Sequence, residues 1–463
     1  MGDKRSCKNE RAHFCMTFCR LNHNITAEGG VANNQPATNT ASGKNKNEYR
    51  DNELDSIPPT RALFDLIKSG SITPDQKYKY IKMIDYVYTL MQGNKWKIAG
   101  VDTGGNFRHK VVTDPNDNWN KYQIALDGLY MAQPFFMELA NALDDPSEPL
   151  SSSTALSSLN SSLIYEDIYN RMMWIDANFY NSIDKLYNHG WGSTRGVNGQ
   201  YWLRAIGWYA AALADVITMM PEDYSTWRND LIGVAEKMFE GMMGYQDSTT
   251  GMWRNVVNKG QTVVSTENPS IRSNENYLES SGTALIAYSM LKLYDEGLVG
   301  ETYGKARLKA FNGTVVNELK YTVTGTSYLD RVYISSGVLT DPYRYLTNGY
   351  AANEAKGVGP LMMAACYANS VAVKLQKADP QITAPEANTL TYNGTGQELV
   401  TSGSVTGGTL YYALGEDASA PPTDEEFSGN DNTEPVSGEN TGLCGRHPSP
   451  KEQMPVPTTS GTR

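Results

Sequence analysis

The chain has 463 residues, 20 % of them charged, and a formal net charge of −11, enough for one domain of roughly 300 residues plus an accessory piece. It contains no run of about 18 consecutive apolar residues, which predicts no membrane span, and no basic stripe, which argues against nucleic acid as a partner. Its five cysteines are too few and too scattered to imply an oxidising compartment.

Residues 1–47 are polar, rich in Asn, Gly, Ala and Thr, and hold seven cationic against three acidic side chains with no helical or strand period. That composition predicts a disordered or foreign segment, and the lack of an apolar stretch argues against a secretory signal. Cys7, Cys15 and Cys19, with His13 and His23, fit no standard zinc spacing, so no metal and no cofactor is expected. From 48 to 380 apolar residues recur at three-and-four spacing. The predicted helices cover 60–69, 74–91, 128–143, 163–186, 201–220, 224–245, 277–295, 301–322 and 359–376. Alternating short and long connections predict antiparallel helix pairs closed into an all-α toroid, with loops gathered over one mouth. From 381 to 421 Thr, Val and Tyr alternate and Gly marks the turns, which predicts a partial β-sandwich. Residues 422–463 are too poor in apolar side chains to complete it and read as a disordered tail. The stretch from 381 onwards carries three cationic against eleven acidic side chains.

The first chemical signal is QIALDGLYMAQPFF at 123–136, which sets one carboxylate, Asp127, among apolar residues at a helix start. Two readings stand. Asp127 is an N-cap, with Pro134 helping to fix the first turn, or it is a general acid whose pKa its apolar flanks raise. The second signal is YNHGWGSTRGVNGQYWLRAIGWY at 187–209. His109 and His189, the two histidines of the helical region, both lie in Gly-flanked loops, and Trp202, Arg204 and Trp208 enter the next helix. Guanidinium beside indole suits a carboxylate held while a sugar ring is stacked. The plainer alternative is core tryptophans and a surface ion pair for Arg204.

Ordered blocks carry a family resemblance: VDTGGNFRHK (101–110), LDGLYMAQPF (126–135), NHGW (188–191), YWLRAIGWYAAALADV (201–216), YLESSGTALIAY (277–288) and KGVGPLMMA (356–364), with LDSIPPTRALF (54–64) upstream. Over 50–378 the chain resembles glycoside hydrolase family 105, the unsaturated rhamnogalacturonyl and glucuronyl hydrolases, related to family 88. The resemblance implies an (α/α)6 barrel and hydrolysis of the Δ4,5-unsaturated uronic acid that polysaccharide lyases leave at a non-reducing end. It implies Asp127 as catalytic acid/base and Asp55 as second carboxylate. It implies His109, Lys110 and His189 as substrate-binding groups, with Trp202 as a stacking wall and Arg204 on the uronate carboxylate.

Three departures carry expectations of their own. Ala125 stands where the family has Trp, so Trp119, in the inserted stretch 111–122, is the expected replacement wall. Family members carry further helices before the segment at 54–64, so the toroid is expected to be incomplete at its N-terminus. The β-rich stretch resembles bacterial surface Ig-like repeats, which favours a periplasmic or extracellular setting. Two other functions fit the same residues: an inactive, carbohydrate-binding toroid, or a sugar epimerase using His109 and His189.

Overall fold

The computed structural model describes residues 54–375, apart from positions 93–96, 99, 113, 146, 148–149, 151–155, 157 and 271, with short strands and a few further residues on either side. By its internal contacts the chain divides into two units, Met1–Val373 and Lys374–Arg463. The expected aperiodic segment 1–47 lies outside the described residues, save for an antiparallel pair, Asn24–Ile25 with Val31–Ala32.

The first unit is a succession of helices: α1 (Ala62–Lys68), entered through a 3-10 turn at Pro58–Arg61, α2 (Pro74–Gln92), α3 (Asp127–Asp144), α4 (Ser161–Phe179), α5 (Leu203–Met219), α6 (Ser225–Met243), α7 (Ser280–Asp295), α8 (Thr302–Glu318) and α9 (Ala355–Leu375). α1 with its leading turn, α3, α5, α7 and α9 line one cavity, while α2, α4, α6 and α8 add nothing to its wall. This is the two-layered (α/α)6 toroid. Among the described residues, one inner and two outer positions of the six-fold ring are not supplied.

Composition explains which helices face inward. α5 (LRAIGWYAAALADVITM) is buried continuously from Leu203 to Ile217, as an Ala-rich helix surrounded by neighbours must be. It approaches α7 closely because two glycines face the contact. A Cβ on Gly207 would lie 2.8 Å from the Leu285 Cβ, and one on Gly282 would lie 2.4 Å from the Leu203 Cγ. α7 is capped by Glu279, whose carboxylate accepts from the N–H groups of Ser281 and Gly282. α3 buries Phe135 and Phe136 almost completely, each worth on the order of 2 kcal/mol.

Some expected boundaries move. The helix expected to run to 186 ends at Phe179, because Asn181 Oδ1 accepts from the N–H groups of Ile183 (2.9 Å) and Asp184 (3.1 Å) and closes a turn. Lys185 then takes a positive φ of 55°, and Tyr180–Asn181 pairs with Leu186–Tyr187. Residues 319–321 likewise leave the helix to pair with Ser327–Leu329. Pro134 sits inside α3 rather than in its first turn. By length and composition alone, α9 is apolar enough to cross a membrane. Its Lys356, Met362 and Tyr367 nevertheless line the cavity, and Ser370 Oγ donates to Asp295 Oδ1 at 2.6 Å.

The second unit holds three antiparallel strand pairs: Gln381–Thr383 with Ser404–Thr406, Gln397–Glu398 with Ser437–Gly438, and Tyr412–Leu414 with Leu443–Gly445. Two of the partner strands thus lie beyond residue 421, in the stretch read from composition as a structureless tail.

Candidate active site

A small sheet assembles the site. β1 (Ile124–Ala125) pairs with β2 (Gly190–Gly192), which pairs with β3 (Gly196–Val197), setting Ala125 opposite Gly190. This register brings the start of α3 beside His189, and the Leu126 N–H donates to the His189 carbonyl at 2.9 Å. Asp127 is the first residue of α3, and the N-cap position is Leu126, which makes no side-chain capping bond. Its carboxylate faces the cavity, with Oδ2 3.2 Å from His189 Nε2.

His189 is fully buried, and its Nδ1 lies 2.7 Å from the Tyr345 hydroxyl. That hydroxyl accepts from the Leu339 N–H at 3.0 Å and from Asn198 Nδ2 at 3.1 Å. Its single proton has two acceptors in reach, His189 Nδ1 and the Leu339 carbonyl at 3.2 Å; when it is given to Nδ1, the imidazole proton sits on Nε2, facing Asp127. The Nε2–Oδ2 approach is close but off the line of an ideal hydrogen bond. Burial alone would raise the Asp127 pKa; contact with His189 and the charge of His109 outweigh it and hold the carboxyl below its ordinary value. The apolar flanks predicted the opposite sign, because the sequence does not show that two imidazoles fold against this carboxylate.

His109 is buried with Nε2 3.3 Å from Asp55 Oδ1. Asp55 lines the cavity, and 59 % of its side chain is exposed. Desolvation within the cleft raises its pKa, but His109, Lys110 and Lys356 pull it below the usual aspartate value. The loop carrying His109 is pinned from outside: Arg171, 2 % exposed, donates from Nε to the Gly105 carbonyl at 3.0 Å, and Asn106 Nδ2 donates to the Arg171 carbonyl at 3.0 Å. Gly128 leaves room for the imidazole, since a Cβ there would lie 3.1 Å from His109 Nδ1.

Trp202 donates from Nε1 to Asn255 Oδ1 at 3.0 Å, and the Arg204 guanidinium lies 4.6 Å from its ring centroid. Arg204 Nη1 donates to Ser281 Oγ at 3.3 Å and to the Tyr333 carbonyl, and Nη2 approaches the Ile334 carbonyl at 3.4 Å. Burial lowers its pKa from the usual arginine value, against the opposing pull of Glu279 and Asp127. The surface ion pair does not describe it: three of its five N–H donors are engaged by protein, and the residue lines the cavity. Trp119 is presented by the short turn Asn118–Lys121, capped by Asp117. It stacks on His109 at 4.7 Å and 14° and packs with Tyr122, Ala125 and Val338.

These groups face a cavity of about 330 Å³ lined by Asp55, Asp127, His109, Trp119, Trp202 and Arg204, among others. Of the lining residues, Arg61 meets Asp215 Oδ2 at 2.9 Å and the Tyr288 hydroxyl meets Asp215 Oδ1 at 2.5 Å; behind them Glu138 Oε1 lies 2.8 Å from Arg61 Nη2 and Lys292 Nζ 2.6 Å from Asp215 Oδ1. Two residues expected to bind substrate are absent from this wall. His189 is shut behind Asp127, and Lys110 stands near Asp55 without lining the cavity.

The model of Glycosyl Hydrolase Family 88 matches residues 32–371. The chain belongs to glycosyl hydrolase family 88. Curated relatives include Protein Atu3128 of Agrobacterium fabrum (strain C58 / ATCC 33970) and the 24.9 kDa protein in picA locus of Rhizobium radiobacter. Each is 30 % identical over 207 residues, which span 40 % of this chain and 82 % of the relative. Among solved structures, a family 105 glycoside hydrolase of C. acetobutylicum ATCC 824 superposes with a TM-score of 0.59 at 20 % identity, covering 79 % of this chain and 89 % of its own. A possible family 105 member from Klebsiella pneumoniae gives 0.51 at 17 % identity, covering 70 % and 72 %. These likenesses establish a shared fold, and family 88 membership makes the protein a glycoside hydrolase with a carbohydrate substrate. Sequence reasoning assigned no role to two residues of this family 88 site. Tyr345 orients His189 without any local motif to mark it. Lys356 lines the cavity, and its signal was the block KGVGPLMMA, which the resemblance used only as a landmark.

Proposed function

We propose that the chain removes Δ4,5-unsaturated uronic acid from the non-reducing end of lyase-generated oligosaccharides, with residues 48–380 as the hydrolase domain. One observation carries the reading: a cavity-facing Asp127, backed by a buried imidazole, shares a small cavity with indole rings and cations. An unsaturated uronide asks for little more. Its ring is a vinyl ether, so C4 accepts a proton directly. Asp127 donates that proton, positive charge develops at C5, and water activated by the same carboxylate adds there. The resulting hemiketal opens and releases the neighbouring sugar, so the reaction needs no nucleophile and the paired-carboxylate spacing of other glycosidases does not govern it.

Residue roles follow from position. His189 orients Asp127 and does not touch the sugar. His109 and Asp55 face the ring hydroxyls, and Trp202 and Trp119 provide stacking walls. Arg204 contributes charge near Asp127 and supports the 333–334 backbone. An epimerase would need both histidines at the substrate, and full burial of His189 disfavours it. The test is incubation with lyase-generated unsaturated disaccharides, following ultraviolet absorbance of the C4=C5 bond. Loss of absorbance in the parent, reduced about 10²-fold or more in Asp127→Asn, is expected. An unchanged rate in the variant would sink the assignment, and binding without turnover in the parent would favour the inactive, carbohydrate-binding reading.

A further inference from the structure

The lysine and arginine side chains on the cavity wall are Arg61, Arg204 and Lys356. Arg61 is engaged by Glu138 and Asp215 at 2.8 and 2.9 Å. Arg204 is held between Ser281 Oγ and the carbonyls of Tyr333 and Ile334. Lys356, in the first turn of α9, differs from both. Its side chain is 27 % exposed, and its one ion pair among the described residues is with Glu354, 3.1 Å away and itself 37 % exposed. An ammonium has three rotatable donors, so one carboxylate leaves two for a ligand, and an exposed pair costs little to share. The positive charge also reaches Asp55, whose carboxyl it helps to keep ionised.

We infer that Lys356, rather than Lys110 or Arg204, receives the substrate's uronate carboxylate and selects a carboxylated sugar over a neutral one. The inference rests on the reading of the cavity as a uronide site, but not on turnover. A partly exposed ammonium on a cavity wall suits a carboxylate that must enter and leave, whereas the Arg204 guanidinium, 3 % exposed with three of its five donors on protein oxygens, is held in place.

The experiment titrates full-length protein with sodium glucuronate, glucose and methyl glucuronate, read by fluorescence of the cavity tryptophans. Lys356→Gln should weaken glucuronate binding at least tenfold and leave the methyl ester unchanged. Lys356→Arg should retain most of the affinity, and Lys110→Gln should lose less than threefold. Parental affinity in Lys356→Gln, or transfer of the loss to Lys110→Gln, overturns the inference. So does a parent that binds no uronide. Unsaturated-disaccharide turnover is measured alongside: a parent that binds glucuronate through Lys356 but does not hydrolyse overturns the hydrolase reading alone. Near-ultraviolet circular dichroism confirms that each variant is folded.

Discussion

His189 stands directly behind Asp127, its Nε2 3.2 Å from Oδ2 and its ring entirely closed to solvent. A residue so placed acts through its neighbour. His189→Gln is expected to lower kcat by about 10- to 100-fold while KM changes by no more than about threefold, the signature of a lost transition-state interaction rather than lost binding. Steady-state kinetics checks this, and a large rise in KM with kcat unchanged would contradict it.

Asp127 and Asp55 both titrate below the ordinary aspartate value of 3.8. A carboxyl depressed by folding contributes stability that is present above its unfolded pKa and lost as pH falls through the folded value. Melting temperature should therefore drop as pH falls below about 4, less steeply in Asp127→Asn. Kinetically, kcat/KM should climb toward acid pH, because the free enzyme must hold a proton on a low-pKa acid. The bound uronate lifts that pKa by like-charge repulsion, so kcat should turn at a higher pH than kcat/KM. Identical apparent pKa values in the two profiles would argue against Asp127 as the proton donor.

Arg204 is 3 % exposed and stacked on Trp202. Arg204→Ala leaves the carbonyls of Tyr333 and Ile334 without their donor and removes the charge facing Glu279, at a cost of about 3 kcal/mol or more. The expected outcome is a lower melting temperature together with lost activity, partly restored by Arg204→Lys, whose single ammonium cannot reproduce the fork. Thermal unfolding decides: full stability with only weakened binding would mean that the guanidinium is a substrate clamp after all.

Two glycines should separate stability from activity. At Gly282 a Cβ would meet the Leu203 Cγ at 2.4 Å and the Arg204 backbone nitrogen at 2.9 Å, so Gly282→Ala should cost about 1–3 kcal/mol by forcing α5 and α7 apart. At Gly128 the added carbon would meet the Leu54 Cδ1 at 2.9 Å and His109 Nδ1 at 3.1 Å. Leu54 can rotate, so Gly128→Ala should displace the imidazole and reduce turnover more than it lowers the denaturant midpoint. Comparing the two variants by denaturation and rate tests the distinction.

Trp119 and Ala125 share one packing cluster. Ala125→Trp should therefore be destabilising by about 1–3 kcal/mol in the parent, because Trp119 occupies the space. The Trp119→Ala, Ala125→Trp double variant should be more stable than the sum of its single changes implies. Strict additivity in a double-mutant cycle would show that the two positions do not compete for one wall.

Periodicity placed every helix from α1 to α9, because an inner helix such as α5 writes its burial directly into an Ala- and Leu-rich sequence. It misplaced the ends at 186 and 322, where an Asx turn and a strand pair override a pattern that would otherwise continue. Asp127, His109, Trp202 and Arg204 stand out in local stretches of unusual residues, Asp55 only through the family resemblance, and all five line one cavity. What their neighbours do to them could not be read that way. The sign of the Asp127 pKa shift depends on His189 and His109, and the surroundings of His189 and Arg204 on Tyr345, Glu279 and Tyr333, which come from distant stretches. The roles themselves rest on the experiments above.

Asp55 precedes α1 and Lys356 opens α9, yet both look into one cavity and the lysine's charge is felt at the carboxylate. Residues some three hundred positions apart in the chain therefore become partners only when the whole succession from α1 to α9 has folded. A sugar that touches both acts as a clasp between the two ends of that succession. Enzymatic competence should accordingly be the last property gained on refolding and the first lost on gentle denaturation, while α3, α5 and α7 still hold together. A bound uronide should slow amide exchange first in α1 and α9, making the ligand a fastener as well as a substrate.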